Sequence, residues 1–96
     1  MYTVTIVHSR PVSLIPFFNK TGSTKKQVGN ALAAAPGFQS KTSTLSDDGL
    51  TLTVVYNWDS AEAAKAFNDS MPTVAPGLKK SQKKYNASHG ILKSVV

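Results

Sequence analysis

Cysteine is absent from the 96 residues, which excludes disulfide bridges, thiolate metal sites and thiol nucleophiles together. No apolar run approaches the ~20 residues that a membrane-spanning helix needs, and the opening segment MYTVTIV is too short for a secretory leader. The glycine-rich motifs of nucleotide sites and the GxSxG motif of hydrolases are also missing. We therefore predict a cytoplasmic protein with no membrane partner and no cofactor.

Arginine is nearly absent as well, although the net charge is +6. Ten of the eleven basic residues are lysine, so the guanidinium fork that grips phosphate or reads guanine occurs only at Arg10. Lys79, Lys80, Lys83 and Lys84 fall on one helical face, which is either a solvated surface or an anion-attracting patch. The composition predicts no nucleic-acid partner.

What is present is a set of segments with clear periodicity. Period-two alternation and turn residues predict strands, and apolar spacing after capping residues predicts helices. The predicted strands are Tyr2 to His8, Phe38 to Leu45, Leu50 to Trp58 and the last six residues, ILKSVV. The predicted helices run from a cap at Ser23 or Thr24 to Pro36, from a cap at Asp59 or Ser60 to an interruption at Pro72, and from about Leu78 to Asn86.

The order βαββαβ predicts one ferredoxin-like domain over residues 1–96, an α+β fold in which an antiparallel sheet of order 4-1-3-2 is covered by helices on one face. The covered face is predicted to carry Val4, Ile6, Phe38, Leu52 and Val54, against helix residues Val28, Leu32, Ala64 and Phe67. The opposite face carries Thr3, Thr5, Val7, Thr51, Thr53 and Val55. Because this second face has almost no charge, we predict that it packs against a second copy as a homodimer.

Three motifs resemble a known family. Pro36-Gly37-Phe38 opens the second strand, Asp48-Gly49 forms a hairpin, and YNWDSAEAAKAF over residues 56–67 joins strand to helix. Together they resemble the dimeric α+β barrel proteins related to antibiotic-biosynthesis monooxygenases. The resemblance implies a pocket between sheet and helices, and functions that include cofactor-free oxidation of aromatics, haem degradation and isomerisation. The Asn, Trp and His of the haem-degrading branch align near Val7 or His8, Ser70 and Lys80, which disfavours haem degradation.

The strand order brings the end of the first strand beside the start of the fourth, so His8 is predicted to approach His89. Tyr85 and the loop residues Phe17 and Phe18 fall near the same place. We predict a pocket in which His8, His89 and Tyr85 are catalytic candidates and the two phenylalanines bind the ligand. The alternative is that each histidine only holds a backbone group. Two histidines without a third ligand make a poor metal site, so no metal is predicted.

Two functions follow from this pocket. In the first, the protein is a small-molecule enzyme, in which the enolate of an aromatic or enolic substrate reacts with oxygen while the protein supplies a base and a dry cavity. In the second, it is a dimeric ligand-binding or regulatory module without turnover. An enclosed cavity at His8 favours the first, and a filled core favours neither.

Overall fold

The computed structural model describes residues 1–20 and 22–96. The elements are β1 (Tyr2–Ser9), α1 (Gly22–Ala34), β2 (Phe38–Leu45), β3 (Thr51–Trp58), α2 (Ala61–Val74), α3 (Leu78–His89) and β4 (Leu92–Val95). The strands form one sheet of order β2-β3-β1-β4, and every neighbouring pair is antiparallel. The predicted ferredoxin-like fold and strand order are confirmed.

The strand-to-helix corner after β3 explains the longest of the three motifs. Ser60 has extended backbone, and its hydroxyl accepts a hydrogen bond from the Ala63 N–H at 3.1 Å, which caps α2 directly after the strand. The Trp58 side chain is 3% exposed and contacts the rings of Phe38 and Phe67, each at 5.5 Å between centroids. The motif therefore marks the place where two strands and a helix close the core.

Gly37 ties the Pro-Gly-Phe motif to the same corner. Its φ of 82° lies in the left-handed region, and a Cβ at this position would come within 2.7 Å of the Ala63 Cβ. The Gly37 carbonyl also accepts a hydrogen bond from the Asp59 N–H at 2.8 Å. Both the backbone conformation and the close approach of α2 require glycine here.

The hairpin between β2 and β3 is confirmed at the predicted Asp-Gly pair. The Gly49 N–H donates to the Ser46 carbonyl at 2.9 Å, and the Asp48 carboxylate accepts from the Ser46 hydroxyl at 2.6 Å and the Leu50 N–H at 2.9 Å. The Asp48 side chain thus adds two hydrogen bonds to the backbone bond of the turn, as Asp commonly does.

Three helix boundaries differ from the predictions. Because α1 already begins at Gly22, Ser23 and Thr24 lie within its first turn and do not precede it. Pro72 does not interrupt α2, which continues to Val74. Proline removes one backbone hydrogen bond, and that loss is tolerated in the last turn, where the Ala75 N–H still bonds the Met71 carbonyl at 2.8 Å. Finally, α3 runs one turn past Asn86 to His89 and stops at Gly90, whose φ is 70°.

The strand register separates two faces of different composition. On the inner face, Val4 lies opposite Tyr56, Ile6 opposite Val54 and His8 opposite Leu52. On the outer face, the strands present only hydroxyl, amide and aliphatic side chains. These are Thr3, Thr5, Val7, Ser9, Ser40, Thr42, Thr44, Thr51, Thr53, Val55, Asn57, Leu92 and Ser94.

Within the described residues, no helix is long and apolar enough to cross a membrane. The cytoplasmic location stays a prediction.

Candidate functional site

The inner face of the sheet and the three helices do not close completely on each other. A cavity of about 620 Å³ lies between them, and every element contributes to its wall. The sheet supplies Val4, Ile6, Leu52, Val54 and Trp58, and the helices supply Val28, Leu32, Ala64, Phe67 and Met71. This space is therefore lined by the inner-face residues that were predicted on β1 and β3 and by the four predicted helix residues. A cavity of this volume is large enough for a small aromatic molecule.

His8 lies half-buried on the cavity wall near the end of β1. Its ring meets the edge of Phe17 at 6.3 Å between centroids. Partial burial lowers the pKa of His8 below its usual value of 6.5, and the positive charges of Lys93 and Lys20 lower it further. At neutral pH the imidazole is therefore uncharged and free to accept a proton.

The loop that carries Phe17 is anchored by Arg10. The Arg10 Nε donates to the Gly49 carbonyl at 2.8 Å, and its Nη1 donates to the Ile15 carbonyl at 2.9 Å. The guanidinium carbon also lies 4.4 Å from the centroid of Phe17, a cation–π contact. One side chain thus connects the β2–β3 turn, the loop and the ring beside His8.

Tyr85 and His89 hold the same loop from the other side. The Tyr85 hydroxyl donates to the Pro16 carbonyl at 2.5 Å, and the Tyr85 ring meets the edge of Phe18 at 5.6 Å. The His89 ring stacks on Tyr85 at 4.0 Å, with its Nδ1 2.8 Å from the Tyr85 carbonyl oxygen.

Of the five predicted site residues, His8, Phe17 and Phe18 line the cavity. Tyr85 and His89 are not among the described residues that line it, because their rings pack on each other and on the loop. The catalytic roles predicted for these residues stay predictions. Within the described residues, no group of three or more His, Asp or Glu side chains could hold a metal ion.

Lysines surround the polar part of the cavity wall. Five of them line it, one each from the loop before α1, from α1, β2, α3 and β4, namely Lys20, Lys25, Lys41, Lys79 and Lys93. Partial burial lowers the pKa of Lys20 and of Lys93, and the neighbouring lysines lower both further. Among the described residues, no carboxylate lines the cavity.

Two of the neutral polar residues on the wall, Tyr56 and Asn86, have unusual environments. Burial raises the pKa of Tyr56, which keeps its phenol protonated at neutral pH. Asn86 is 8% exposed, and its Oδ1 is buried without a hydrogen-bond partner in the part of the chain that the structure describes. An orphaned amide oxygen at a cavity wall is unfavourable unless a donor reaches it.

The sequence interpretation did not single out Lys20, Lys41, Lys93 or Asn86. Strand parity was sufficient to find two of them, because Lys41 lies opposite Tyr56 and Lys93 opposite His8 on the inner face. Lys20 and Asn86 carried no such signal, since a loop has no period and Asn86 is one polar residue in a largely polar helix.

Comparison with known proteins agrees on the fold. No family model matches the chain, and no curated protein matches it by sequence. A monooxygenase of Streptomyces coelicolor, solved with the ligand nanaomycin D, is 19% identical, with a TM-score of 0.52 over 98% of this chain and 84% of that one. SnoaB, a cofactor-independent oxygenase of Streptomyces nogalater, is 11% identical, with a TM-score of 0.51 over 98% and 88%.

A dimeric ferredoxin-like protein from an uncultured marine organism is 13% identical, with a TM-score of 0.54 over 97% of this chain and 84% of that one. At these identities the similarity concerns the fold. The chain therefore shares the ferredoxin-like fold of these three proteins, which is the fold that the three sequence motifs indicated.

Proposed function

We propose that the protein binds an aromatic or enolic small molecule in the cavity between sheet and helices and oxidises it without a cofactor, with His8 as the general base. The observation that carries the proposal is an uncharged, half-buried histidine on the wall of a cavity of about 620 Å³ that is otherwise lined mainly by apolar and aromatic side chains. The fold supports it, because solved structures with this fold include a cofactor-independent oxygenase.

The proposed reaction is balanced without an added reductant. His8 takes a proton from an activated CH₂ group of the substrate, which leaves an enolate. The enolate gives electrons to O₂, and the new C–O bond forms as a hydroperoxide. Loss of water then leaves a carbonyl, so the carbon has lost two hydrogens and gained one oxygen atom. His8 returns the first proton to the peroxide anion, which gives the hydroperoxide and restores the base, and the lysines at the wall stabilise the negative charge of the enolate.

The loop and its supports have a separate role in this proposal. Arg10 and Tyr85 hold the loop in place through the Gly49, Ile15 and Pro16 carbonyls, and His89 supports Tyr85. We therefore assign Tyr85 and His89 to positioning the loop that carries Phe17 and Phe18, and we keep proton transfer for His8.

The test is oxidation of 1,8-dihydroxyanthrone, whose CH₂ group enolises, to the corresponding anthraquinone. Product absorbance is followed after subtraction of the spontaneous rate. His8→Gln should lower kcat/KM by about 100-fold, the lower range for loss of a general base, while the free energy of unfolding changes by under about 1 kcal/mol. His89→Gln changes the histidine that supports Tyr85 and does not line the cavity, so it should lower kcat/KM much less than His8→Gln does.

The pH profile gives an independent readout. Because burial and two lysines lower the His8 pKa, kcat/KM of the wild type should stay level from pH 8 to below 6.5 and fall only as His8 becomes protonated. His8→Gln should lose this limb. Wild-type turnover no faster than that of His8→Gln contradicts the enzymatic proposal. Binding of the product anthraquinone without any turnover would indicate the non-catalytic ligand-binding module.

We also propose that two copies pair through the outer face of the sheet. That face carries no charged side chain on any of its four strands, and Leu92 on it is 71% exposed. Thr3 donates to Asn57 at 2.8 Å and Asn57 donates to Ser40 at 2.9 Å, so its polar groups are partly satisfied within the sheet. A face of this kind suits sheet-on-sheet packing better than exposure to water.

A further inference from the structure

The lysines of the chain are unevenly distributed around the cavity. Five of the ten line it, and they come from different elements, so no single helical face explains the cluster. All five acidic residues lie elsewhere. Asp47 and Asp48 lie in the β2–β3 turn, Asp59 and Glu62 lie at the start of α2, and Asp69 pairs with Lys65 at 2.7 Å.

The cavity lysines have neutral neighbours. The Lys79 Nζ donates to Asn68 at 2.8 Å, and the Lys93 Nζ donates to Gln82 at 3.3 Å. The Lys41 Nζ lies 5.7 Å from the centroid of Tyr56. These contacts satisfy donors without cancelling charge, so the polar end of the cavity keeps a net positive charge.

We propose that the ligand of this cavity is an aromatic anion, whose charged group lies between Lys20 and Lys93 beside His8 while its rings occupy the apolar part. The proposal rests on the proposed function in that it requires a small molecule in the cavity. It adds the charge of that molecule and its orientation. His8 and Lys93 are directly opposite each other on β1 and β4, which places the cation at the candidate base.

The unpartnered Oδ1 of Asn86 adds a second requirement. Asn86 lines the same cavity, and its buried amide oxygen needs a donor. Rotation of the amide toward the cavity would let it accept a hydrogen bond from a ligand hydroxyl. A hydroxylated aromatic acid, or a polyphenol with one ionised hydroxyl, meets both requirements.

The charge of the ligand also affects His8. Several titratable side chains line the cavity with it, from every element that packs around the base: Lys20, Lys25, Lys41, Tyr56, Lys79 and Lys93. The lysines disfavour a proton on His8, and a bound anion offsets them. Binding of the anion should therefore raise the His8 pKa, which makes the base stronger when substrate is present.

The test compares 2-naphthoate with its uncharged analogue 2-naphthamide by isothermal titration calorimetry at pH 7.5. The carboxylate should bind about tenfold tighter than the amide, since its hydrogen bonds to the lysines are charge-assisted, and only the carboxylate should weaken with added salt. Lys20→Met combined with Lys93→Met should abolish the preference. Lys80→Met combined with Lys83→Met removes the same net charge outside the cavity and should leave it intact.

A proton NMR titration of the two histidines checks the coupling. Saturating 2-naphthoate should raise the His8 pKa, whereas 2-naphthamide should not, and His89 serves as the internal reference. Equal affinity of both compounds, or equal loss of preference in both double variants, overturns the anion inference and leaves a cavity that binds neutral aromatics. If neither compound binds while 1,8-dihydroxyanthrone is still oxidised, this inference fails and the proposed function stands. If the anthrone is not oxidised either, both fail.

Discussion

At the residue scale, Asn86 lies in an unfavourable environment in the free protein. It is almost fully buried, and its Oδ1 has no partner among the described residues. A group in this state costs stability, and such costs persist at sites where a ligand supplies the missing bond. The Asn86 amide would then contribute to ligand binding and not to the stability of the fold.

The corresponding prediction concerns Asn86→Leu. Leucine has the same branched shape and its extra volume can extend into the cavity, so the variant should raise the free energy of unfolding by about 1 kcal/mol, the cost of the unsatisfied oxygen. It should also lower the affinity for hydroxylated aromatic acids. Urea unfolding and calorimetry measure the two effects. A loss of stability in Asn86→Leu would show that the amide contributes to folding and would contradict the assignment.

His8 gives a second prediction at this scale, and it concerns stability. Its pKa is lowered in the folded state, so the unfolded chain binds more protons over the interval below about 6.5. Stability should therefore fall as the pH decreases from 6.5 through the folded-state pKa. In His8→Gln this contribution should disappear from urea-unfolding curves recorded between pH 7 and pH 5. A wild type and a variant with parallel pH dependence would contradict the lowered pKa.

At the element scale, the strands were the easiest part of the fold to predict. The bounds of β2 agree with the prediction, because β-branched residues alternate and a Pro-Gly pair and an Asp-Gly turn limit the strand. The helix ends were harder. Pro72 in the last turn of α2 removes a single hydrogen bond, and tertiary packing outweighs that loss. The local sequence contains no information on this packing, so the end of α2 was predicted too early.

The cavity itself could not be predicted from the pattern. Periodicity predicts which side chains of the sheet face the helices. It does not predict whether those side chains are in contact with the side chains of the helices. Leu32 on α1 and Val54 on β3 are buried at 8% exposure, as predicted for the core, but together with Val28 they also line the cavity. The structure pairs His8 with Lys93 on one face. Strand parity is sufficient to find this pairing, although Lys93 was not among the predicted site residues.

Helix α1 offers a way to fill that space. Gly29 lines the cavity one turn from Lys25 and Leu32, and a Cβ built on it meets no atom within 4 Å. Gly29→Ala should raise the free energy of unfolding by about 0.5–1 kcal/mol through helix propensity. Gly29→Phe should remain folded and should occupy part of the cavity. If thermal or urea unfolding shows Gly29→Phe to be strongly destabilised, the space beside α1 is not open.

At the scale of the whole molecule, the sheet has two faces with opposite roles. The inner face and the helices build the cavity, and the uncharged outer face is available for a second copy. A dimer through the outer face would leave both cavities accessible, because they lie on the helix side of each sheet.

The dimer prediction is tested by Thr53→Lys, which places a charge at the centre of the outer face. Sedimentation equilibrium at micromolar concentration should give about twice the 10.2 kDa chain mass for the wild type and the single-chain mass for the variant. Ala33→Lys adds the same charge on the exposed side of α1 and should stay dimeric. A monomeric wild type would contradict pairing through this face.

The single tryptophan reports directly on whether the space between sheet and helices is a ligand site. Trp58 lines the cavity, so a bound 1,8-dihydroxyanthraquinone should quench its fluorescence with a saturable dependence on concentration. We predict saturable quenching in the wild type and in Gly29→Ala, and its loss in Gly29→Phe. Unsaturable quenching in the wild type, or equal binding by Gly29→Phe, would contradict the claim.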